Sequence, residues 1–319
     1  MGRASRVRAA GRAQRPANGG LLVREPRPAD EAALAELLGI VEFTQPGIGA
    51  EMAHAVALRH RLEPACGVRA SWVAERRRGE VVGVLTAAPP LGWIGSIEML
   101  SPEHRSYVAH HIVEVEALSI APQVRGRRLG HRLIETAAAH YAGLGYRLML
   151  GTTTVLSLAP YYRQAGFTVL EPGEVISVAD PLGMVLHRPA DRHVVQMWKA
   201  LHAEVTVVGS QMPDGSPLQL LTQVLVPPAG SPEVVRHDDG SVTISGGGVR
   251  QTMDARTAGM MEQMYRTPVT EEEVREGMAE ALRYGFEPLM AARLRKASGY
   301  SLPELMGPPR GAGSSAGRR

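Results

Sequence analysis

A single cysteine, Cys66, stands in the 319-residue chain. That excludes an intramolecular disulfide framework and any metal site built on clustered cysteines. Aromatic residues make up only 4%, too few for a single-strand nucleic-acid platform of stacked bases. Long apolar runs are missing too. The longest, over residues 81–95, is broken by Pro89 and Pro90, so no segment is expected to cross a bilayer as a helix. Only Lys199 and Lys296 among the basic residues are lysines. What remains is ordinary for a globular protein, 44% hydrophobic and 21% charged. Its length suggests one large domain or two moderate ones.

The net charge is +3, but its placement matters more than its sign. Residues 1–20 hold Arg3, Arg6, Arg8, Arg12 and Arg15 with no acid, and residues 307–319 hold Arg310, Arg318 and Arg319 with no acid. Without those eight arginines the body carries −5. The basicity sits in the ends, so nucleic acid is disfavoured as a partner of the body. The first stretch has no apolar core of the kind a secretory leader needs. Both ends, 1–20 and 306–319, read as disordered tails, and the cytoplasm is the expected location.

Strand-like runs are expected at 21–24, 71–75 and 81–86, the last two joined by a turn at Gly79. Asp30 is placed to cap a helix with Ala33, Leu34, Leu37, Leu38 and Val41 at helical spacing. Residues 87–107 read as an irregular loop containing Trp93. A strand at 111–120, a helix from Leu129 to about Tyr141 and a strand at 147–152 form a strand–helix–strand unit, which implies two parallel strands with a crossover. A short helix at 158–165 and strands at 167–170 and 184–187 follow. Beyond Pro189 the reading is a helix at 192–201, then strands at 204–208, 219–226, 234–235 and 241–245. Asp239-Gly240 marks a hairpin. Thr270 with Glu273 forms a capping box, and Met253, Met260, Met261 and Met264 read as helix core. The expected organisation is one domain at 21–189 and a smaller α+β region at 190–305.

The turn Pro122-Gln123-Val124-Arg125-Gly126-Arg127-Arg128-Leu129-Gly130 carries the strongest chemical signal. A glycine turn opening a helix after a strand gathers unpaired amides at the positive end of the helix dipole, which is an anion site. Arg125, Arg127, Arg128 and Arg132 suit it to a polyphosphate. A P-loop needs a lysine after its second glycine, but His131 stands there. A dinucleotide fold needs G-x-G-x-x-G and an acid after the next strand, but the glycines are Gly126 and Gly130 and the strand ends in Thr152-Thr153-Thr154. Coenzyme A, a pyrophosphate with a long amide-bearing arm, is the third candidate.

Here the chain resembles the GNAT superfamily of acyl-CoA-dependent N-acyltransferases. Gln123-Val124-Arg125-Gly126-Arg127-Arg128 is similar to the family's Q/R-x-x-G-x-G/A, with Arg128 in place of the final glycine or alanine. Residues 22–30 resemble its usual start, and Tyr162-Arg163-Gln164-Ala165-Gly166-Phe167 its Y-x-x-x-G-F ending. The resemblance covers about 21–189. It implies a mixed, mostly antiparallel sheet flanked by helices (an α/β, or α+β, fold) with a splayed parallel strand pair. It implies acetyl-CoA as co-substrate and no metal. The pantetheine arm would follow the free edge of the first parallel strand at Leu118, Ser119 and Ile120. The pyrophosphate would sit on Gln123, Val124, Arg125, Gly126, Arg127, Arg128, Leu129, Gly130 and His131.

An amine attacking a thioester must be neutral, so a base should take its proton. Glu114 matches a glutamate that many family members use, and Glu116 is the alternative base. The oxyanion would take a backbone N–H near Leu118. Tyr162 occupies the family's tyrosine position and would serve as acid toward the thiolate, while Tyr161 reads as structural. The expected acceptor is a small-molecule or peptide amine, approached from the first two helices and the 87–107 loop, with no membrane partner and a homodimer compatible. Two readings compete. In one, the fold has lost its chemistry and serves as a coenzyme A-sensing or protein-interaction module. In the other, the arginine tails act as nucleic-acid arms. The 190–305 region suggests no role by itself.

Overall fold

The protein is described by a computed structural model. It covers residues 21–304 apart from 42, 44–46, 77–78, 99, 181–184, 190–192, 213–214, 227–232, 247–248, 257–258, 260–262, 264–266, 284–287 and 302. The two expected tails and Met260, Met261 and Met264 lie outside the described residues. The chain forms two compact units. The first runs to Leu91, then takes Ile112–Thr168 and Met197–Leu201; the second takes Gly92–His111, Val169–Gln196 and the chain from His202.

The first unit is built on a mixed sheet in the order β1-β2-β3-β4-β5-β9-β6. Its strands are β1 (Leu22–Arg24), β2 (Ala70–Glu75), β3 (Val81–Ala88), β4 (Ile112–Ile120), β5 (Leu148–Thr153), β6 (Thr168–Val169) and β9 (Val195–Ala200). The pairs β1–β2, β2–β3 and β3–β4 are antiparallel, whereas β4–β5 is parallel. Helices α1 (Glu31–Leu38), α2 (Ile48–Ala57), α5 (Leu129–Gly143) and α6 (Ala159–Gln164) accompany it. The long crossover helix α5 buries Leu129, Leu133, Ile134, Ala137 and Tyr141, spaced along one face.

Polar side chains fix the frame. Tyr141 is fully buried, and its hydroxyl accepts from the Ala70 N–H at 3.1 Å and reaches the Ala87 carbonyl at 2.6 Å and the Val68 carbonyl at 3.1 Å. The Tyr146 hydroxyl accepts from the Val68 N–H at 2.8 Å. Arg24 donates to Asp30 at 2.7 Å and pairs with Glu75. Asp30 does not cap α1 as expected. Its carboxylate turns back to accept from Arg24 and from the Arg27 N–H, and the Arg24 hydrogen bond holds its pKa below the ordinary carboxylate range.

In the second unit, β7 (Val175–Ala179), β8 (Val185–Arg188), β10 (Thr206–Gln211) and β11 (Pro217–Thr222) form a sheet ordered β10-β11-β7-β8. A separate meander joins β12 (Glu233–Arg236), β13 (Val242–Gly246) and β14 (Val249–Met253). The Asp239-Gly240 hairpin forms as expected, with Gly240 at φ 80° and Asp239 accepting from the Ser241 N–H. The Thr270–Glu273 capping box forms at the start of α7 (Glu271–Arg283), which precedes α8 (Pro288–Ser298). Buried His104 and Asp180 meet at 2.5 Å.

Three further expectations change. The helix read at 192–201 is strand β9: its run of apolar residues is buried on both faces rather than along one stripe. The 87–107 loop contains α3 (Leu91–Ser96) and α4 (Pro102–Ala109); Ser101 caps α4 by accepting from the His104 N–H, and Pro102 starts it. Strands β7 and β14 were absent from the sequence reading.

Tyr141→Phe should lower stability by about 1–3 kcal/mol, since buried backbone groups lose their partner; urea unfolding reads this. Burial raises the pKa values of Tyr141 and Tyr146 above the free value of about 10. Their unfolded forms ionise first, so their contribution is intact below pH 10 and disappears above it. The urea midpoint should therefore fall between pH 9 and pH 11, and less steeply in the Tyr141→Phe variant.

Candidate functional site

The site starts where one ladder stops. Strands β4 and β5 pair in register from Ile112–Leu148 to Val115–Gly151, and there the register ends. Strand β4 continues to Ile120 and β5 to Thr153. On its other side β4 stays paired with β3 to Ile120–Gly83. That register shifts at one point, where Thr86 faces Ala117 and Ala87 faces Val115, leaving Glu116 as the extra residue of a bulge. The bend thus falls at the last β4–β5 pair.

Strand geometry assigns the freed backbone groups. The Ala121 N–H donates to the Val82 carbonyl, on the β3 side. Alternation then turns Ser119 toward β3, and the N–H and C=O of Leu118 and Ile120 toward the open edge. Arg125 Nε donates to the Ile120 carbonyl at 3.1 Å, in keeping with that direction. The buried Ser119 hydroxyl has no hydrogen-bond partner among the described residues.

The turn after β4 folds as a cradle. A helical turn, Pro122–Val124, is followed by Gly126 at φ 78° and Arg128 at φ 57°, and α5 begins at Leu129. The amides of Val124 and Arg125 are used within that turn, and the Arg132 N–H bonds the Arg128 carbonyl. The amides of Leu129, Gly130 and His131 have no carbonyl one turn earlier, and together they form a positive end open to an anion. Gln123, Arg125, Gly126, Arg127 and Arg128 are exposed, whereas Val124 and Leu129 are buried and offer backbone only.

Below the cradle, α6 brings two tyrosines. A β-carbon on Gly130 would lie 2.0 Å from the Tyr161 hydroxyl, so only glycine fits. The Tyr161 ring packs on His131 with centroids 4.7 Å apart, and the Tyr161 hydroxyl and His131 Nδ1 are both enclosed without a partner among the described residues. Tyr162 packs edge-on against Tyr161 and Phe167, and burial raises its pKa above that of a free tyrosine. It lines a small cavity with Val115, Gly151, Phe167 and Met197. Lys199 steadies α6 from below, donating to the Ala165 carbonyl at 2.8 Å.

The two candidate bases differ. Glu116 accepts from Arg69 at 2.9 Å and from Thr86 at 3.3 Å, and Thr86 accepts from Ser71. Glu114 is half-buried within the paired part of β4. The bulge at Glu116 interrupts the alternation that would place both on one face. Trp93 belongs to the second unit, where its indole N–H donates to the His187 carbonyl at 2.9 Å. Among the described residues no group of three His, Cys, Asp or Glu side chains could hold a metal ion, and no helix is long and apolar enough to cross a membrane.

Residues 68–169 match the family model described as the acetyltransferase (GNAT) domain. No curated protein matches the chain. Among solved structures it is similar to a GNAT superfamily phosphinothricin acetyltransferase from Sinorhizobium meliloti in complex with AcCoA, at 18% identity over 57% of this chain and 88% of that one, TM-score 0.39. It is similar to an acetyltransferase of the GNAT family from Streptococcus pneumoniae, at 19% identity over 56% of this chain and 99% of that one, TM-score 0.37. A GCN5-related N-acetyltransferase from Kribbella flavida is similar at 18% identity over 57% and 98%, TM-score 0.37.

Arg128 holds a left-handed conformation that costs an L-residue about 1–2 kcal/mol, so Arg128→Gly should raise stability by about 1 kcal/mol. Gly126→Ala should lower it by a similar amount. Paired urea titrations check both, and a destabilised Arg128→Gly protein would contradict the strain.

Proposed function

We propose, given that residues 68–169 form a GNAT domain, that the protein transfers an acetyl group from acetyl-CoA to a primary amine by direct attack. The observation that carries this reading is a coincidence of two openings. The β4–β5 ladder opens after Val115–Gly151, and the unpaired amides of α5 begin just beyond the open edge.

The donor set suits coenzyme A. Leu118 and Ile120 offer an N–H and C=O edge to an arm with two amides, in the manner of an added strand. The amides from Gly126 to His131, with Arg125, Arg127 and Arg128, suit the diphosphate. Gln123, Val124 and Leu129 complete the loop, the last two through backbone. The thioester would then lie at the fork, where the Leu118 N–H is positioned to stabilise an oxyanion.

Glu114 is our preferred base, directly or through a water. Glu116 is already engaged by Arg69 and Thr86, which suits it better to holding the bulge. Tyr162 lines the cavity at the fork and keeps its proton because it is buried, so it can donate a hydrogen bond to the departing thiolate. The acceptor we infer is a small-molecule or peptide amine, and the cytoplasm is the inferred setting.

The test is thiol release from acetyl-CoA with a panel of amines, preceded by a thermal shift with coenzyme A, which a specific ligand must raise. Tyr162→Phe should lower kcat by about 10²–10³-fold, the cost of losing one hydrogen-bond donor to developing charge, while the coenzyme A shift is retained. A protein stabilised by coenzyme A that releases no thiol with any amine would be a binding module instead, and one with no shift at millimolar coenzyme A would end the reading.

A further inference from the structure

We propose that Met197 sets the acyl length this protein accepts and restricts it to acetyl; this rests on the transferase reading. The cavity at the fork has a volume of about 10 Å³, at the threshold for one water molecule. Val115 and Gly151, the last β4–β5 pair, line the cavity, and so does Tyr162. On the transferase reading, an acyl group on a thioester beside Tyr162 would meet Met197 as its chain lengthens.

The walls differ in what they could yield. Val115 and Gly151 belong to paired strands, and Ile134 is held in the buried face of α5. Phe167 packs against Tyr162. Met197 alone enters as a long unbranched side chain, from β9, which lies beside β5 in the sheet. It is 1% exposed. A β-carbon built on Gly151 would lie 3.2 Å from Met197 Cγ, 3.5 Å from its Sδ and 3.7 Å from its Cε. The methionine thus covers the glycine, occupying the space that a side chain at 151 would otherwise claim. Met197 lies outside residues 68–169, so this stopper comes from chain beyond the matched domain.

The two positions make opposite changes. Met197→Ala removes Cγ, Sδ and Cε and extends the cavity toward β9. Gly151→Ala adds a carbon against the methionine and shrinks the cavity. The experiment measures kcat/KM of the full chain with acetyl-, propanoyl-, butanoyl- and hexanoyl-CoA and one accepted amine. Calorimetric affinities for the same series and for free coenzyme A are taken in parallel.

The wild-type protein should lose about tenfold or more for each added methylene. Met197→Ala should raise butanoyl transfer at least tenfold relative to acetyl. Gly151→Ala should lower acetyl transfer several-fold. Affinity for free coenzyme A, which has no acyl group, should stay within twofold in both variants, and this separates a changed cavity from a damaged fold. Should Met197→Ala fail to fold, Gly151→Ala and the wild-type series still decide. Butanoyl use within threefold of acetyl by the wild-type protein, or an unchanged profile in a folded Met197→Ala variant, overturns the gate. A protein that binds the series but turns nothing over defeats the transferase reading, and the gate is then judged on whether affinity falls with acyl length.

Discussion

The ladder between β4 and β5 ends at Val115–Gly151, and the rest of the site is arranged around that break. Ending a parallel ladder inside a sheet leaves backbone N–H and C=O groups without strand partners. Such groups are costly to enclose without hydrogen bonds. The Leu118–Ile120 edge therefore favours a ligand that brings its own donors and acceptors. The break is held by side chains: Glu116, the extra residue of the bulge, is bound by Arg69 and Thr86, and Ser71 supports Thr86. These hydrogen bonds hold the bulge, although the buried Arg69 Nε has no partner among the described residues. This gives Glu116 a structural reason to be charged that does not require it to move a proton.

A second constraint acts one turn further on. Tyr161 packs so closely over Gly130 that no side chain fits there, and this brings α6 under the first turn of α5. The amides that would meet an anion and the tyrosine that would meet a sulfur are thus fixed to each other within one unit. Arg128 sits at the joint in a left-handed conformation. Glycine would relieve the backbone, but arginine adds a cation beside unpaired amides. Strain of this kind persists where the surroundings over-determine it.

Much of the first unit was legible because its signals are local. The hairpin at 71–86, the glycine turn at 123–130 and the apolar stripe of α5 each declare themselves within a short stretch of chain. Residues 123–131 are contiguous in the chain, so the turn and the start of α5 could be read from them. Other features were not legible because they depend on pairing between distant segments. Whether 192–201 is a helix or a strand depends on its place beside β5, since a short apolar run buried on both faces has no distinguishing period. The bulge at Glu116 shows only in the register against β3. Met197 appears in the site only because β9 is inserted after a long excursion of the chain. A local signal also marks the start of α4: Ser101-Pro102, followed by Glu103.

The burial of Tyr162 bears on what an acid can do here. Removal from water disfavours the phenolate, so its proton is held more tightly than in a free tyrosine. A free thiol loses its proton near 8.5, against about 10 for free tyrosine. Full transfer from Tyr162 to a departing thiolate is therefore uphill, and burial makes it more so. On the proposed reading, the hydroxyl acts by keeping its proton and pointing it at developing negative charge. A hydrogen bond to a charged acceptor is about twice as strong as a neutral one, and its worth rises where water is excluded. The proton freed from the amine can then return to the thiolate by another route, and the tyrosine needs no recharging between turnovers.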